Sequence, residues 1–186
     1  MMHRLLPLLL LLFSFSSFGQ QQTEVELETT LGTIRIQLFT TEAPVSSKNF
    51  LDYIDQGFYE GTIFHRTILG FMIQGGGFTE RLERKNTAAP ISNESHQTPS
   101  NTRGTVAMAR TNVPDSATSQ FFINVVDNPY LDHKPGKPGY AVIGKVVMGM
   151  DIVDKIAQSP TQRVKQFANL PEQTVVIKTA KVLAPQ

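Results

Sequence analysis

Apolar and polar residues alternate along two short segments at the start of the folded part of the chain. Residues 23–29 alternate apolar residues with glutamates, and residues 33–39 alternate apolar residues with Arg35 and Gln37. A two-residue period places successive side chains on opposite faces of a half-buried strand. The Thr-Leu-Gly link at 30–32 is a turn signal between them. The sequence therefore predicts an antiparallel strand pair.

Two other segments repeat apolar residues every three or four positions, which is typical of a helix with one buried face. The first follows Thr40 and Thr41, either of which can cap it, has Pro44 in its first turn and ends near Gly57. The second covers about 150–158 and is followed by a proline, which cannot continue a helix. We expect two short helices in the whole chain.

The rest of the chain divides into short apolar segments and long loops rich in Gly, Pro, Ser, Thr and Asn. The loops are expected over 78–102 and 128–139. Many short strands with two helices favour a closed, mainly β barrel that forms one domain over 20–186. The further strands are expected at 61–65, 71–74, 104–109, 121–125, 140–147 and 174–183.

Composition narrows the possible functions. The 186 residues contain no Cys and no Trp and carry a formal net charge of +1. The lack of a basic excess argues against nucleic acid as a partner. The lack of Cys excludes disulfides, thiolate metal sites and a cysteine nucleophile. The lack of Trp disfavours an all-β carbohydrate-binding domain, which would need exposed aromatic platforms.

The N-terminus has the layout of a secretory signal peptide. His3 and Arg4 precede an apolar run at 5–18, and the small residues Ser17 and Gly19 lie at its end. We expect a signal peptide at 1–19, cleaved after Gly19, and an exported soluble product. The run is short for a membrane span, although an uncleaved anchor stays open as an alternative.

The segment 64–77 carries the strongest chemical signal. It places Arg66 among apolar and aromatic residues, with Gln74 eight positions later and three glycines behind it. Burying an arginine without a partner is costly, so either a buried network or a substrate must compensate. This segment and a second one, 107–123, resemble the two active-site segments of the cyclophilin-type peptidyl-prolyl isomerases. The resemblance extends over about 25–183.

The resemblance implies a fold and a reaction. The fold would be an eight-stranded antiparallel barrel capped by a helix at each end. The reaction would be rotation about the bond that precedes proline, with no metal or other cofactor. Arg66 would donate to the nitrogen of the twisted amide, and Gln74 would orient the guanidinium or contact the substrate. Taken alone, Arg66 would more often be a structural arginine in a buried salt bridge, and the match of the whole segment favours the catalytic role.

The resemblance also implies a substrate site. Arg110 stands where many relatives have asparagine, so specificity next to the proline can differ. Tyr130 stands where relatives that bind cyclosporin well often have tryptophan, so we expect weaker cyclosporin binding. Tyr130 and Tyr140 remain open to interpretation as plain packing aromatics. The implied set comprises a proline pocket of Phe71, Met72, Phe122, Leu131 and Tyr140, and contacts to peptide from Ala109, Arg110, Gln120 and Tyr130.

Several further expectations concern partners and rival functions. Because successive strand residues point to opposite faces, His65 should face away from the site if Arg66 faces it. Flexible, proline-containing polypeptides are the expected substrates, in a periplasmic or otherwise exported location. The expected oligomeric state is a monomer. The rival from another class is a binding module with the same barrel, and an isomerase with an added holdase role is also open.

Overall fold

The structure is a computed structural model that describes residues 22–184 of the chain. The predicted signal peptide at 1–19 lies outside the described residues. Ten strands and two helices are present in the described part, with a 3-10 turn at Pro129–Leu131. The elements are β1 Glu24–Thr29, β2 Gly32–Leu38, α1 Pro44–Asp55, β3 Thr62–Ile68, β4 Met72–Thr79, β5 Thr105–Met108, β6 Phe121–Asn124, β7 Val142–Met148, α2 Met150–Ala157, β8 Thr161–Val164, β9 Phe167–Pro171 and β10 Ile177–Val182.

Eight of these strands form one antiparallel sheet in the order β10-β1-β2-β7-β5-β6-β4-β3. The two edge strands approach each other where Ile63 bridges Val176. Phe64 N donates to Val175 O at 3.0 Å at the same junction. The sheet is therefore a nearly closed barrel, as expected. Buried residues of both helices, among them Phe50 and Ile156, belong to the same hydrophobic core as the barrel interior.

The first strand pair and both helices confirm the periodicity argument. Val25 is paired with Ile36, and the β1–β2 register is continuous from Glu24 to Thr29. Helix α1 ends one residue before Gln56, and Gly57 follows with φ of 63°. Helix α2 covers Met150–Ala157, within one residue of the expected range. Short-range patterns were sufficient for these elements.

The cap of α1 corrects the prediction, because neither of the two threonines supplies it. The N-cap residue is Ala43, whose methyl side chain cannot accept a hydrogen bond. Instead, Glu94 accepts hydrogen bonds from Val45 N at 3.0 Å and from Ser46 N at 2.8 Å, and the Ser46 hydroxyl also donates to it at 2.7 Å. The carboxylate is buried, with 6% of the residue exposed. A residue from the long loop thus satisfies the free amides of the helix start.

Strands β8 and β9 are a second difference from the prediction. They form a two-stranded hairpin outside the barrel. Every residue of β8 is exposed or half-buried, so its sequence has no apolar alternation to find. Phe167 and Leu170 of β9 pack with Ile63 in a small separate core. That core lies against the face of β3 that carries His65.

Candidate active site

Two paired strands position the central arginine and its glutamine. Arg66 on β3 and Gln74 on β4 are register partners. Arg66 Nη1 donates to Gln74 Oε1 at 3.3 Å, and Gln74 Nε2 donates to Gln120 Oε1 at 3.0 Å. The three side chains form a continuous hydrogen-bonded row across β3, β4 and the start of β6. Gln74 therefore fixes the direction of the guanidinium, and Gln120 fixes the direction of Gln74.

The electrostatic surroundings of Arg66 bear on whether it is a catalytic donor or a structural arginine in a buried salt bridge. Its guanidinium lies 5.8 Å from the centre of the Phe71 ring and makes a weak contact of 3.9 Å to Met72 Sδ. Burial lowers the pKa of Arg66, and the nearby Tyr140 phenol opposes this. No carboxylate pairs with Arg66 among residues 22–184. The alternative of a structural arginine in a buried salt bridge is therefore wrong.

A cavity of about 130 Å³ with an apolar floor opens beside this row. Its floor is built from Met72 and Phe122, which are 1% and 4% exposed. These residues belong to a small hydrophobic cluster separate from the main core. The structure brings together nine of the residues expected at the site as the lining of this cavity: Arg66, Phe71, Met72, Gln74, Ala109, Arg110, Phe122, Leu131 and Tyr140.

Gln120 and Tyr130, the other two expected residues, lie next to the cavity. Gln120 packs tightly over Gly77, where a Cβ would come within 2.5 Å of the Gln120 Cγ atom. This explains the last glycine of the triplet, since any side chain there would displace Gln120. Tyr130 is 53% exposed and its ring stacks on Phe71 at a centroid distance of 6.0 Å. It forms the outer rim of the site.

Arg110 occupies the wall of the cavity in a way that the sequence did not indicate. Its guanidinium donates to the carbonyl oxygens of Gly139 at 3.0 Å, Pro138 at 2.6 Å and Thr111 at 2.9 Å. The same group lies 4.4 Å from the centre of the Tyr140 ring. Arg110 thus joins the end of β5 to the loop before β7 and holds Tyr140 against the pocket.

Comparison with known families decides what this site belongs to. The model of the family described as cyclophilin type peptidyl-prolyl cis-trans isomerase/CLD matches residues 24–182. The match spans every strand and helix of the structure. The chain belongs to this family. It is a cyclophilin-type peptidyl-prolyl cis-trans isomerase.

Named relatives agree with the assignment. The chain is 53% identical to a peptidyl-prolyl cis-trans isomerase of Acinetobacter baylyi, covering 90% of this chain and 89% of that one. It is 51% identical to peptidyl-prolyl cis-trans isomerase A of Dickeya dadantii, covering 92% and 90%. A solved Cryptosporidium parvum cyclophilin has a TM-score of 0.74 at 26% identity, covering 89% of this chain and 99% of that one.

A buried polar network beneath the cyclophilin pocket escaped the sequence reasoning. Asn128 donates to Phe71 O at 3.0 Å and to Asn124 Oδ1 at 2.7 Å. Asn124 donates in turn to Asn101, whose side chain donates to Tyr140 O at 3.3 Å. The three asparagines are buried. They hold the backbone carbonyls of the pocket residues Phe71 and Tyr140 in place. In the sequence, each of them is only an asparagine at the end of an apolar strand or in a loop, which does not by itself indicate a network.

His65 faces away from the site of the isomerase, as strand alternation predicts. Its ring lies between Phe78 and Phe167, at centroid distances of 4.7 Å and 5.9 Å. Its Nδ1 has no hydrogen-bond partner within the described structure. Burial lowers the pKa of His65 to about 4. The ring is therefore neutral in the folded protein at neutral pH and plays a packing role.

The low pKa of His65 predicts acid sensitivity of the fold. Between pH 6.5 and 4 the unfolded chain binds a proton at this site and the folded chain does not, so stability falls as the pH is lowered through this window. The full contribution is up to about 3 kcal/mol, from about 1.4 kcal/mol per pKa unit. Urea unfolding of wild type and His65→Leu at a series of pH values should show a shallower slope in the variant. An exposed-site control, His96→Gln, should keep the wild-type slope, and equal slopes in all three proteins would contradict the assignment.

Proposed function

We propose that this isomerase acts by non-covalent stabilisation of a twisted amide. Rotation about the X–Pro bond has a barrier of about 18–20 kcal/mol because resonance gives the C–N bond double-bond character. In the twisted state the proline nitrogen becomes pyramidal and regains a lone pair. A donor aimed at that nitrogen stabilises the twisted state and gains little from the planar one, so it accelerates rotation.

Arg66 is the proposed donor, and the observation that carries this assignment is its lack of a carboxylate partner. A guanidinium has five N–H groups, and within the described chain Arg66 uses Nη1 for Gln74 and a weak sulfur contact. The remaining donors are available to a substrate in the cavity that Arg66 lines. Gln74 and Gln120 support this role because their hydrogen bonds keep the guanidinium in one orientation.

The cavity beside Arg66, with its apolar floor, is the proposed binding site of the proline ring. Met72 and Phe122 would contact the ring by apolar burial. Tyr140 would form a flat wall, because its ring meets Phe122 edge-on at 5.6 Å. Fixing the ring leaves the preceding carbonyl as the part that rotates. Phe71 and Leu131 complete the proposed pocket, and Ala109, Arg110, Gln120 and Tyr130 are the proposed neighbours of the flanking peptide.

The proposed substrates are flexible, proline-containing polypeptides. One solved relative, the Cryptosporidium parvum cyclophilin, was crystallised in the presence of the dipeptide Ala-Pro and has a TM-score of 0.73 to this chain. The first test is NMR exchange between the cis and trans forms of an Ala-Pro peptide with added protein 20–186. Faster exchange would support the proposal, and an unchanged rate would contradict it.

We also propose that the protein is a monomer, which sedimentation would test.

The proposed site of action is outside the cytoplasm, on exported proteins as they fold. The layout of residues 1–19 as a signal peptide supports this. In the described part of the chain, no helix is both long and apolar enough to cross a membrane. Expression of the full chain in a bacterium followed by fractionation and N-terminal mass determination tests the idea. A periplasmic product beginning near Gln20 would support it, and an intact cytoplasmic chain would contradict it.

Replacing Tyr130 with tryptophan should strengthen cyclosporin binding. Tyr130 stacks on Phe71 at the rim of the pocket, and tryptophan would add an indole N–H donor there. One added hydrogen bond contributes about 0.5–1.5 kcal/mol, or a two- to about tenfold lower Kd. Isothermal titration of wild type, Tyr130→Trp and Tyr130→Phe measures this. Equal affinities for the tryptophan and phenylalanine variants would contradict a role for the indole donor.

A further inference from the structure

A groove of about 360 Å³ adjoins the cavity proposed to bind the proline ring. The two share Arg110, Leu131 and Tyr140 as lining residues, so a peptide seated in one would extend along the other. The residues that line only this groove include Pro114 and Pro138. The residues next to a proline bound in the cavity would therefore contact this groove.

A small hairpin carries one edge of the groove. Lys134 and Lys137 are bridge partners, with backbone hydrogen bonds of 3.0 Å and 2.8 Å in the two directions. Gly136 lies in the turn with φ of 75°, a conformation that favours glycine. The turn holds Lys137 on the groove side, where it is exposed and lines the groove. A tight turn of the backbone thus sets the position of Lys137 at the edge of the groove.

The groove is positively charged. Among the described residues, its lining contains Arg110 and Lys137 and no acidic residue. Within residues 22–184, the hydrogen-bond acceptors of the Arg110 guanidinium are three neutral carbonyl oxygens, and no carboxylate pairs with it. Within the described chain Lys137 forms no ion pair. The chain as a whole has a formal net charge of only +1, so this concentration of charge is local.

We propose that this groove binds the residues that flank the isomerised proline and favours an aspartate or glutamate there. The inference rests on the proposed role of the adjoining cavity as the binding site of the proline ring. Lys137 supplies the principal charge because its ammonium is exposed and free to move toward a carboxylate. Arg110 adds a fixed positive charge at the junction of the two cavities. Tyr130 and Pro138 provide apolar surface for the stem of the acidic side chain.

The test compares matched peptides that contain one Ala-Pro bond. Glutamate or glutamine is placed in turn at each position from two residues before the proline to three after it, and kcat/KM is measured by NMR exchange at low salt. At one or more positions the glutamate peptide should be turned over about two- to fivefold faster, the range expected for an exposed ion pair. About 1 M salt should abolish the difference, since the screening length is then about 3 Å.

Charge reversal of the lysine distinguishes the groove from a general charge effect. Lys137→Glu leaves Arg110 and one carboxylate in the groove, a net charge of zero, and should therefore abolish the preference for the glutamate peptide. The matched control is Lys165→Glu, which makes the same charge change at the turn between β8 and β9. It should keep the wild-type ratio. Equal turnover of all glutamate and glutamine pairs by wild type, or an unchanged preference in Lys137→Glu, would overturn the inference while leaving the isomerase intact. Failure to turn over any peptide would instead count against the proposed function.

Discussion

Replacing Arg66 with alanine is expected to lower kcat/KM for an Ala-Pro peptide by about 100- to 1,000-fold. This is the usual cost of removing one preorganised donor that acts in the transition state. KM should change little, because the proline ring would still bind on the apolar floor of the cavity, so most of the loss should appear in kcat. NMR exchange with protein 20–186 measures both the rate and the binding of the peptide.

Two variants make the Arg66 result interpretable. Arg66→Lys keeps the positive charge but loses the planar, multiply donating guanidinium. It should recover only a small part of the activity, whereas near-complete recovery would mean that charge alone is sufficient. Arg163→Ala on the exposed strand β8 removes an arginine away from the pocket and should leave the rate unchanged. Activity that survives in Arg66→Ala, with the pocket still intact, would remove Arg66 from the central role.

The Arg66→Ala variant also distinguishes an isomerase from a holdase. Arg66→Ala should still present the apolar floor of the cavity, built from Met72 and Phe122. If the protein also holds unfolded chains, suppression of aggregation of a denatured client should persist in this variant while isomerisation is lost. If both activities disappear together, any effect on aggregation depends on turnover. A purely binding function would require that wild type itself fails to accelerate exchange.

The parts of the fold that the sequence predicted are those determined by short-range patterns. Alternation along 23–39 was enough for the β1–β2 pair, because its register follows from burying one face. The segment around Arg66 was recognisable because an arginine in an apolar strand is costly unless something uses it. In the structure, Arg66 lines the same cavity as residues from the second segment, such as Phe122.

The features that escaped prediction depend on contacts between distant parts of the chain. Nothing near Glu94 in the sequence indicates that it caps a helix that begins 50 residues earlier. Two of the three carbonyl contacts of Arg110, those to Pro138 and Gly139, depend on the path of the loop before β7. The β8–β9 hairpin has an almost wholly exposed first strand, so its pairing is fixed by Phe167 packing against the barrel. Such contacts have no periodic signature.

The Glu94 contact leads to the largest expected effect on stability. Glu94→Ala should lower the free energy of unfolding by about 3–6 kcal/mol, because three charge-assisted hydrogen bonds at about 1–2 kcal/mol each are lost. The favourable interaction of the carboxylate with the N-terminal end of the helix dipole is lost as well. Guanidinium unfolding, with the slope checked for two-state behaviour, measures the change.

The matched variant Glu94→Gln tests which part of the interaction matters. Glutamine keeps one acceptor oxygen at almost the same position but has no charge, and its amide group cannot accept from Ser46. It should therefore lose roughly two thirds as much stability as alanine, because two of the three hydrogen bonds, both from Ser46, are lost. Glu83→Ala, an exposed glutamate in the same long loop, should change stability by less than about 0.5 kcal/mol. If Glu94→Ala costs no more than Glu83→Ala, water must replace the carboxylate at the start of α1, and the long loop then contributes little to holding that helix on the barrel.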